Sequence, residues 1–318
     1  MAATALTIAV LSGGISHERE VSLRSGRRVA DALENRGHTV TLIDPDANLF
    51  ARLKALQPDV IWPALHGSSG EDGALLGLLA ASGYAYVGPT ASAARLAWSK
   101  PVAKSLVDKV GIATPASITV AREAFRELGA SAVLEIITAE LGHHLVVKPA
   151  SGGSAQGVSI VDTAEDLPRA MVDAFTYADV ALIERFIAGT EVAMTVIATP
   201  SGVQALPAVE IVPLDGVYSF EARYTAGETN FFVPARVSDA VAATVAQTAI
   251  DAHNALGLDD ISRIDLIVDS DGCAWFLEAN SLPGLTETSS APLAIEASGH
   301  EVGELYESLC LAAINNRA

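Results

Sequence analysis

Two cysteines in 318 residues, Cys273 and Cys310, are too few and too unpatterned for a disulfide framework, and they fit a reducing cytoplasm. Basic residues are scarce as well: 20 Lys and Arg against 38 Asp and Glu give a formal net charge of −18. That balance excludes the basic footprint which nucleic acid or an anionic membrane surface requires. No apolar run is long enough to span a bilayer, and the opening MAATALTIAVLSGG lacks the basic leader of a signal peptide. There is no repeat and no low-complexity tract. The glycines after the first apolar stretch do not form G-x-G-x-x-G, and the later Gly/Ser loop lacks G-x-x-x-x-G-K-[ST]. What remains is a globular composition. Half the residues are hydrophobic and 18% are charged, enough for a large core shared by two or three domains.

The first 90 residues alternate strand and helix. Thr7–Leu11 is an apolar strand that breaks into Ser12-Gly13-Gly14-Ile15-Ser16-His17-Glu18, and a helix follows over about Val21–Arg36. Strands recur at Thr39–Ile43 and Val60–Leu65, each with a helical segment behind it. This order predicts a parallel sheet with ligands at the carboxyl ends of its strands. Glu18 at the helix start either favours the helix dipole or faces the pocket as an anchor for an ammonium group. The segment His66–Gly73 leaves His66 and Glu71 near the strand ends, with Asp72 placed to cap the next helix. Gly88-Pro89-Thr90 marks the exit from this unit.

A second unit opens with a helix carrying Lys100. Its most informative feature is Leu145–Pro149, a strand whose last polar residue is Lys148, followed by Ser151-Gly152-Gly153-Ser154-Ala155-Gln156-Gly157 and a return strand at Val158–Val161. A Gly/Ser loop between antiparallel strands folds over a phosphate chain using backbone N–H groups and the lysine. Equally, it reads as a plain hairpin loop with Lys148 snorkelling to solvent. Leu182–Ile187 is an apolar strand interrupted by Glu184 and Arg185, and Glu191 opens the third unit. There, Asp215–Asn230 is a long irregular stretch with Tyr218, Phe220, Glu221, Arg223 and Tyr224, the composition of a lid. Helices are expected at Asp239–Leu256 and Gly303–Arg317.

Within that third unit, Arg263–Val268, the turn Asp269-Ser270-Asp271-Gly272 and Cys273–Glu278 read as a β-hairpin. Closing it brings Asp265 near Glu278, with Asn280 two residues beyond. Two carboxylates and an amide oxygen suit a hard cation such as Mg²⁺. Solvated acids on an exposed sheet face are the alternative. Glu278, however, ends the apolar run Ala274–Leu277, where an unpaired charge is costly.

Taken in order, Gly13–Leu23, His66–Gly73, Val146–Gly157, Leu182–Phe186, Tyr218–Tyr224 and the RID and LEANSLPG segments resemble the D-alanine–D-alanine ligases of the ATP-grasp superfamily over nearly the whole chain. The resemblance implies an α/β chain, α+β in its ATP-binding part. It divides into three domains at residues 1–90, 91–187 and 188–318, the first built on the parallel sheet. It also implies ATP as a substrate, Mg²⁺ (two ions, replaceable by Mn²⁺) on Asp265, Glu278 and Asn280, and a homodimer. Lys100, Lys148, Gly153, Ser154 and Arg223 correspond to phosphate contacts; Glu184, Arg185, Ile187 and Glu191 correspond to adenine and ribose contacts. By the same correspondence Glu18 holds the first ammonium group, and Ser154 and Tyr224 join it in a network closing the lid. Arg263 and the Gly284 N–H face the oxyanion, and His66, Ser289 and Ser290 face substrate.

Four departures concern the second substrate. Ala155-Gln156 stands where Ser-Val is common, Arg223 replaces a lysine, Tyr218 is shifted, and Thr288 and Ser290 are unusual. Arg for Lys is not a neutral exchange at a phosphate. A ligase for a different amino acid pair therefore stands as the alternative, and a non-catalytic binding protein on the same fold as a third.

Overall fold

The computed structural model describes residues 5–199, 202–214, 216, 218, 222–223, 225 and 227–317. Tyr224, together with Ser219, Phe220 and Glu221, lies outside the described residues, so the expectation for the lid tyrosine has no structural counterpart here.

The expected parallel sheet is present. It consists of β1 (Thr7–Leu11), β2 (Thr39–Ile43) and β3 (Val60–Pro63) in the order β2-β1-β3. Between them run α1 (Arg19–Asn35) and α2 (Leu49–Leu56), and α3 (Ala74–Ala81) follows. Every residue of β3 is buried, as a parallel strand covered on both faces should be. Two helices come next, α4 (Ala91–Trp98) and α5 (Lys100–Asp108). The single helix expected around Lys100 is split at Ser99, and Pro101 follows at the start of α5, where a missing N–H costs nothing.

The second sheet is antiparallel and contains β4 (Ser117–Ala121), β5 (Leu145–Pro149), β6 (Ser159–Val161) and β7 (Val180–Arg185), ordered β4-β7-β5-β6. Its apolar face packs on α7 (Ala130–Leu141) and α8 (Leu167–Tyr177), after a short α6 (Arg122–Leu128). The third sheet holds β8 (Thr190–Thr199), β9 (Gly202–Ala205), β10 (Val209–Pro213), β11 (Thr229–Phe232), β12 (Ile261–Val268) and β13 (Ala274–Asn280), all paired antiparallel. The end of the stretch expected to be irregular is therefore the start of β11. The helices α9 (Asp239–Ala255), α10 (Ser290–Ala297) and α11 (Val302–Arg317) complete the chain.

Packing crosses these sheets. Ala93, Ala97, Ala103 and Val107 of α4 and α5 share a core with Phe276 and Ala279 of β13. Tyr306, Leu309 and Ala313 of α11 pack with Val29 and Leu33 of α1 and with Trp62 of β3. Arg36 beyond α1 reaches Glu307 of α11 at 2.9 Å. The last helix is thus built into the core of the first sheet, which brings the loops before α10 against the carboxyl ends of β1 and β3.

Candidate active site

The hairpin β12–β13 forms, with Asp265 opposite Glu278, but with an irregularity that alternation alone does not show. Asp265 pairs with Glu278 and Leu266 with Phe276, so Leu277 is an extra residue on β13. Such a bulge reverses the faces of the residues beyond it. Phe276 and Ala279 point into the core, while Leu277 and Glu278 both line a cleft. Without the bulge, Glu278 would share the buried face with Phe276.

That cleft has a volume of about 480 Å³ and lies between the second and third sheets. Its walls include Lys100, Lys148, Gly153, Glu184, Arg185, Ile187, Glu191, Arg223, Asp265 and Glu278. The Ser151–Gly157 loop connects the antiparallel strands β5 and β6 above it. Within this loop Ser154 and Ala155 both have positive φ, 53° and 55°. A non-glycine residue in that region costs roughly 1–2 kcal/mol, so two in succession are held by their surroundings. One restraint is visible: the Ser154 hydroxyl donates to Glu18 Oε1.

Most of the charges in the cleft are matched. Lys100 Nζ lies 3.2 Å from Glu278 Oε2, and Arg263 forks onto Asp265 at 2.7 and 2.8 Å. Lys148 Nζ is 2.5 Å from Glu184 Oε2, and Lys104 binds the other oxygen of the same carboxylate. Burial alone would raise Glu278, but Lys100, Lys148, Arg223 and Arg263 outweigh it and hold the carboxyl down at about 2. Glu184 follows the same logic: burial opposes ionisation, and the two lysines keep it below the usual range. Glu191 is pushed up to about 7, mainly by burial and partly by the neighbouring Asp265 and Glu278, against Arg223. Arg223 itself stacks on Tyr218, 4.0 Å from the ring centre.

Beyond Asp265 the cleft meets a smaller compartment of about 50 Å³ walled by Glu18, His66, Glu71, Ser154, Arg263, Asn280, Gly284, Thr288, Ser289 and Ser290. Tyr218, Arg223 and Asp265 line both spaces. Glu18 sits at the start of α1 without capping it, which leaves its carboxylate facing the compartment. A Cβ at Gly67 would lie 2.4 Å from Glu18 Oε2 and one at Gly153 2.9 Å from Oε1, and Gly67 also needs φ of +66°. Bare backbone on both sides is therefore what admits the carboxylate. Burial raises Glu18, with the Ser154 bond, Lys100 and Arg223 pulling against it. Burial, reinforced by the charge of Glu18, pushes Glu71 up to about 8, and its Oε2 accepts from Gly67 N–H at 2.8 Å. His66 is lowered to about 4, chiefly by burial.

The structure thus gathers the expected residues into two adjoining spaces, apart from Tyr224. It adds others. Lys104 lies four residues after Lys100 on α5, a spacing that puts both on one helix face, and that spacing is the sequence signal for it. Ser25 touches His66, and Glu210 holds Arg236 at 2.7 and 2.9 Å on the cleft wall; their separation in the chain leaves no signal. Among the described residues no three His, Cys, Asp or Glu side chains form a metal cluster. The donors available are two carboxylates and an amide. Asp265 and Glu278 stand side by side, Glu278 is ionised, and Asn280 Nδ2 donates to Asp265 Oδ2 at 3.2 Å, which sets that amide beside the two carboxylates. That set fits Mg²⁺, which takes one or two carboxylates and fills the rest of its shell with phosphate oxygens and water.

Comparison with known proteins agrees with this arrangement. Residues 106–310 match the family model described as D-ala D-ala ligase C-terminus. A D-alanine–D-alanine ligase of Anaeromyxobacter sp. (strain Fw109-5) is 41% identical over 306 residues, 96% of each chain. The crystal structure of D-alanine–D-alanine ligase from Bacillus anthracis complexed with ATP superposes with a TM-score of 0.79 at 26% identity, covering 98% of both chains. The VanG D-Ala:D-Ser ligase from Enterococcus faecalis has the same fold, with a TM-score of 0.81 at 24% identity over 98% of this chain and 100% of its own. With more than half of its residues inside the matched segment and relatives aligned over nearly its whole length, the chain belongs to the D-alanine–D-alanine ligase family of ATP-grasp enzymes.

Proposed function

We propose that the chain joins two D-alanines into D-alanyl-D-alanine at the expense of ATP, supplying peptidoglycan precursors. The observation that carries this reading is the junction of the two spaces at Asp265 and Arg223, which puts a nucleotide-sized cleft in line with a small compartment anchored by Glu18. ATP lies in the cleft, its adenine toward Glu184, Arg185 and Ile187, its ribose toward Glu191. Its phosphates lie under the Ser151–Gly157 loop and among Lys100, Lys148 and Arg223. Asp265, Glu278 and Asn280 would hold Mg²⁺, which when bound offsets charge on the transferring phosphoryl group.

Glu18 receives the ammonium group of the first D-alanine. A carboxylate oxygen of that amino acid forms a bond to the γ-phosphorus as the bond to the β-phosphate oxygen breaks, giving an acyl phosphate and ADP. The amine of the second D-alanine, after losing a proton, attacks the acyl carbon, and inorganic phosphate leaves. Arg263 and the Gly284 N–H face the oxyanion of the tetrahedral intermediate. Ser289 and Ser290 accommodate the carboxylate of the second substrate, and Ser154 bonded to Glu18 ties the phosphate loop to the anchor. The family resemblance supports a cytoplasmic homodimer; among the described residues no helix is long and apolar enough to cross a membrane.

The fold is shared with a D-Ala:D-Ser ligase, so it does not choose the acceptor. The test is ADP formation from ATP with D-alanine, with D-serine, D-lactate or other amino acids, and with none, products being identified by mass spectrometry. D-alanyl-D-alanine as the dominant product is expected. Turnover that needs a different amino acid pair overturns the substrate assignment, and no turnover with any acceptor overturns the enzyme reading.

A further inference from the structure

The segment Leu282-Pro283-Gly284-Leu285 follows β13 in sequence, yet it is held at both ends by side chains of the first unit. Leu285 N–H donates to the hydroxyl of Ser25, on α1, at 3.1 Å. The Leu282 carbonyl lies 3.2 Å from Nδ1 of His66, a residue just beyond β3. Ser25 Oγ and His66 Nε2 are 3.0 Å apart, which closes the circuit. Both side chains are buried, Ser25 completely.

The hydrogen positions in this circuit follow from what each group is able to do. A carbonyl oxygen only accepts, so His66 Nδ1 must carry its proton. In a neutral imidazole the other nitrogen is then the acceptor. Ser25 already accepts from Leu285, and its one hydroxyl hydrogen is directed to His66 Nε2. The lowered affinity of this buried ring for a second proton fits the neutral form. Only one tautomer satisfies all three bonds. The arrangement also accounts for the donors of the segment. Pro283 has no N–H and that of Leu285 is taken, leaving Gly284, which borders the small compartment, as the one of the three with an N–H for a ligand. Downstream the segment is fastened again, since Thr286 N–H donates to Ser289 Oγ at 3.1 Å. A Cβ at Gly284 would come within 2.9 Å of that same oxygen.

We propose that Ser25 and His66 act as a pair of positioning residues: through the Nδ1–H tautomer of His66 they fix the Leu282–Leu285 segment so that the Gly284 N–H faces the oxyanion formed at the reacting acyl group. His66 then serves the reaction through the loop it holds, because both its nitrogens are engaged. This deepens the ligase reading and rests on it for the role of Gly284, whereas the tautomer and the clamp stand independently of activity.

The experiment combines a spectroscopic and a kinetic measurement on the full-length protein. A long-range ¹H–¹⁵N spectrum of ¹⁵N-histidine-labelled wild type should show His66 protonated on Nδ1 and bare on Nε2. In Ser25→Ala, loss of the hydroxyl donor should move the proton to Nε2 in a measurable fraction of molecules. The same variant should lose about tenfold to a hundredfold in kcat, the scale of a misplaced donor, with KM for ATP within about twofold of wild type. His66→Gln, whose amide keeps one donor and one acceptor, should retain several times the kcat of His66→Ala, which keeps neither; this comparison holds even if Ser25→Ala folds poorly. An Nε2–H tautomer in the wild type, an unchanged kcat in folded Ser25→Ala, or equal losses in the two His66 variants would each overturn the proposal. A wild type with the expected tautomer that makes no D-alanyl-D-alanine would instead remove the ligase reading and leave the clamp standing.

Discussion

Glu278 and Glu71 border adjoining spaces of one site, yet their surroundings drive them in opposite directions. Glu278 is surrounded by Lys100, Lys148, Arg223 and Arg263 and stays ionised, down at about 2 despite burial. Glu71 has burial and the nearby Glu18 against it, and it is raised to about 8. The cleft is therefore a region of exchanged charge. Apart from Glu191, each acid is paired with a base that a phosphate chain or a cation competes for, so ligand binding there trades ionic partners. In the compartment beyond it burial works against charge: His66 is held uncharged, Glu71 and Glu18 are both raised, and the carboxyls meet hydrogen-bond donors, Ser154 on Glu18 and Gly67 N–H on Glu71. An ammonium group entering that compartment brings a positive charge into a place with acids to spare, which suits an amino acid substrate.

The largest effect should come from breaking the charged region at its centre. Glu278→Gln removes a carboxylate that four cations oppose and that Mg²⁺ would use, so turnover should fall by at least about a hundredfold while calorimetry still detects ATP binding. Near-wild-type turnover at saturating Mg²⁺ would remove the metal assignment. A smaller effect is expected from Lys148→Ala. Lys104 remains to neutralise Glu184, but one donor to the phosphates is gone, and ATP affinity should weaken about tenfold, as for a lost hydrogen bond to a charged group. An unchanged Kd by calorimetry would return Lys148 to a structural role.

The smallest effect tests the compartment beyond the cleft. Because the folded state raises Glu71, it binds a proton more tightly than the unfolded chain does. Its contribution is complete below the unfolded value near 4.5 and is lost as pH rises through about 8. Glu71→Gln keeps an acceptor for Gly67 N–H and cannot ionise. The urea midpoint of the variant should therefore gain on wild type between about pH 5 and about pH 8. A wild-type-minus-variant difference that does not change with pH would mean that Glu71 is ionised throughout, and the contrast with Glu278 would collapse.

Much of this site is legible in the order of the residues. The turn Asp269–Gly272 between two apolar runs predicts the hairpin, and the hairpin predicts that Asp265 meets Glu278. The strand–Lys148–Gly/Ser loop–strand order predicts the covering loop, and the strand–helix alternation of the first 90 residues predicts a parallel sheet with Glu18 and His66 at its ligand-binding end. All of these rest on short-range rules: side-chain period, turn residues, and the conformations that glycine permits. Other features are not legible. The bulge at Leu277 is hidden because Phe276 and Glu278 sit two apart, a spacing that alternation assigns to one face. Lys104 belongs to no motif, and its four-residue spacing from Lys100 shows only that both lie on one face of α5, not that it meets Glu184.

What the sequence by itself determined, then, is the hairpin, the covering loop, the first parallel sheet and the chemistry carried at their strand ends. Which of those ends would meet was decided by the tertiary structure. Lys104 reaches Glu184 across 80 positions, and Ser25 reaches Leu285 across 260. These meetings follow from α11 packing into the first sheet's core and from α5 packing on β13. Burial of apolar surface drives such packing without regard to direction or chain order, so no local pattern records which distant polar groups it will bring together.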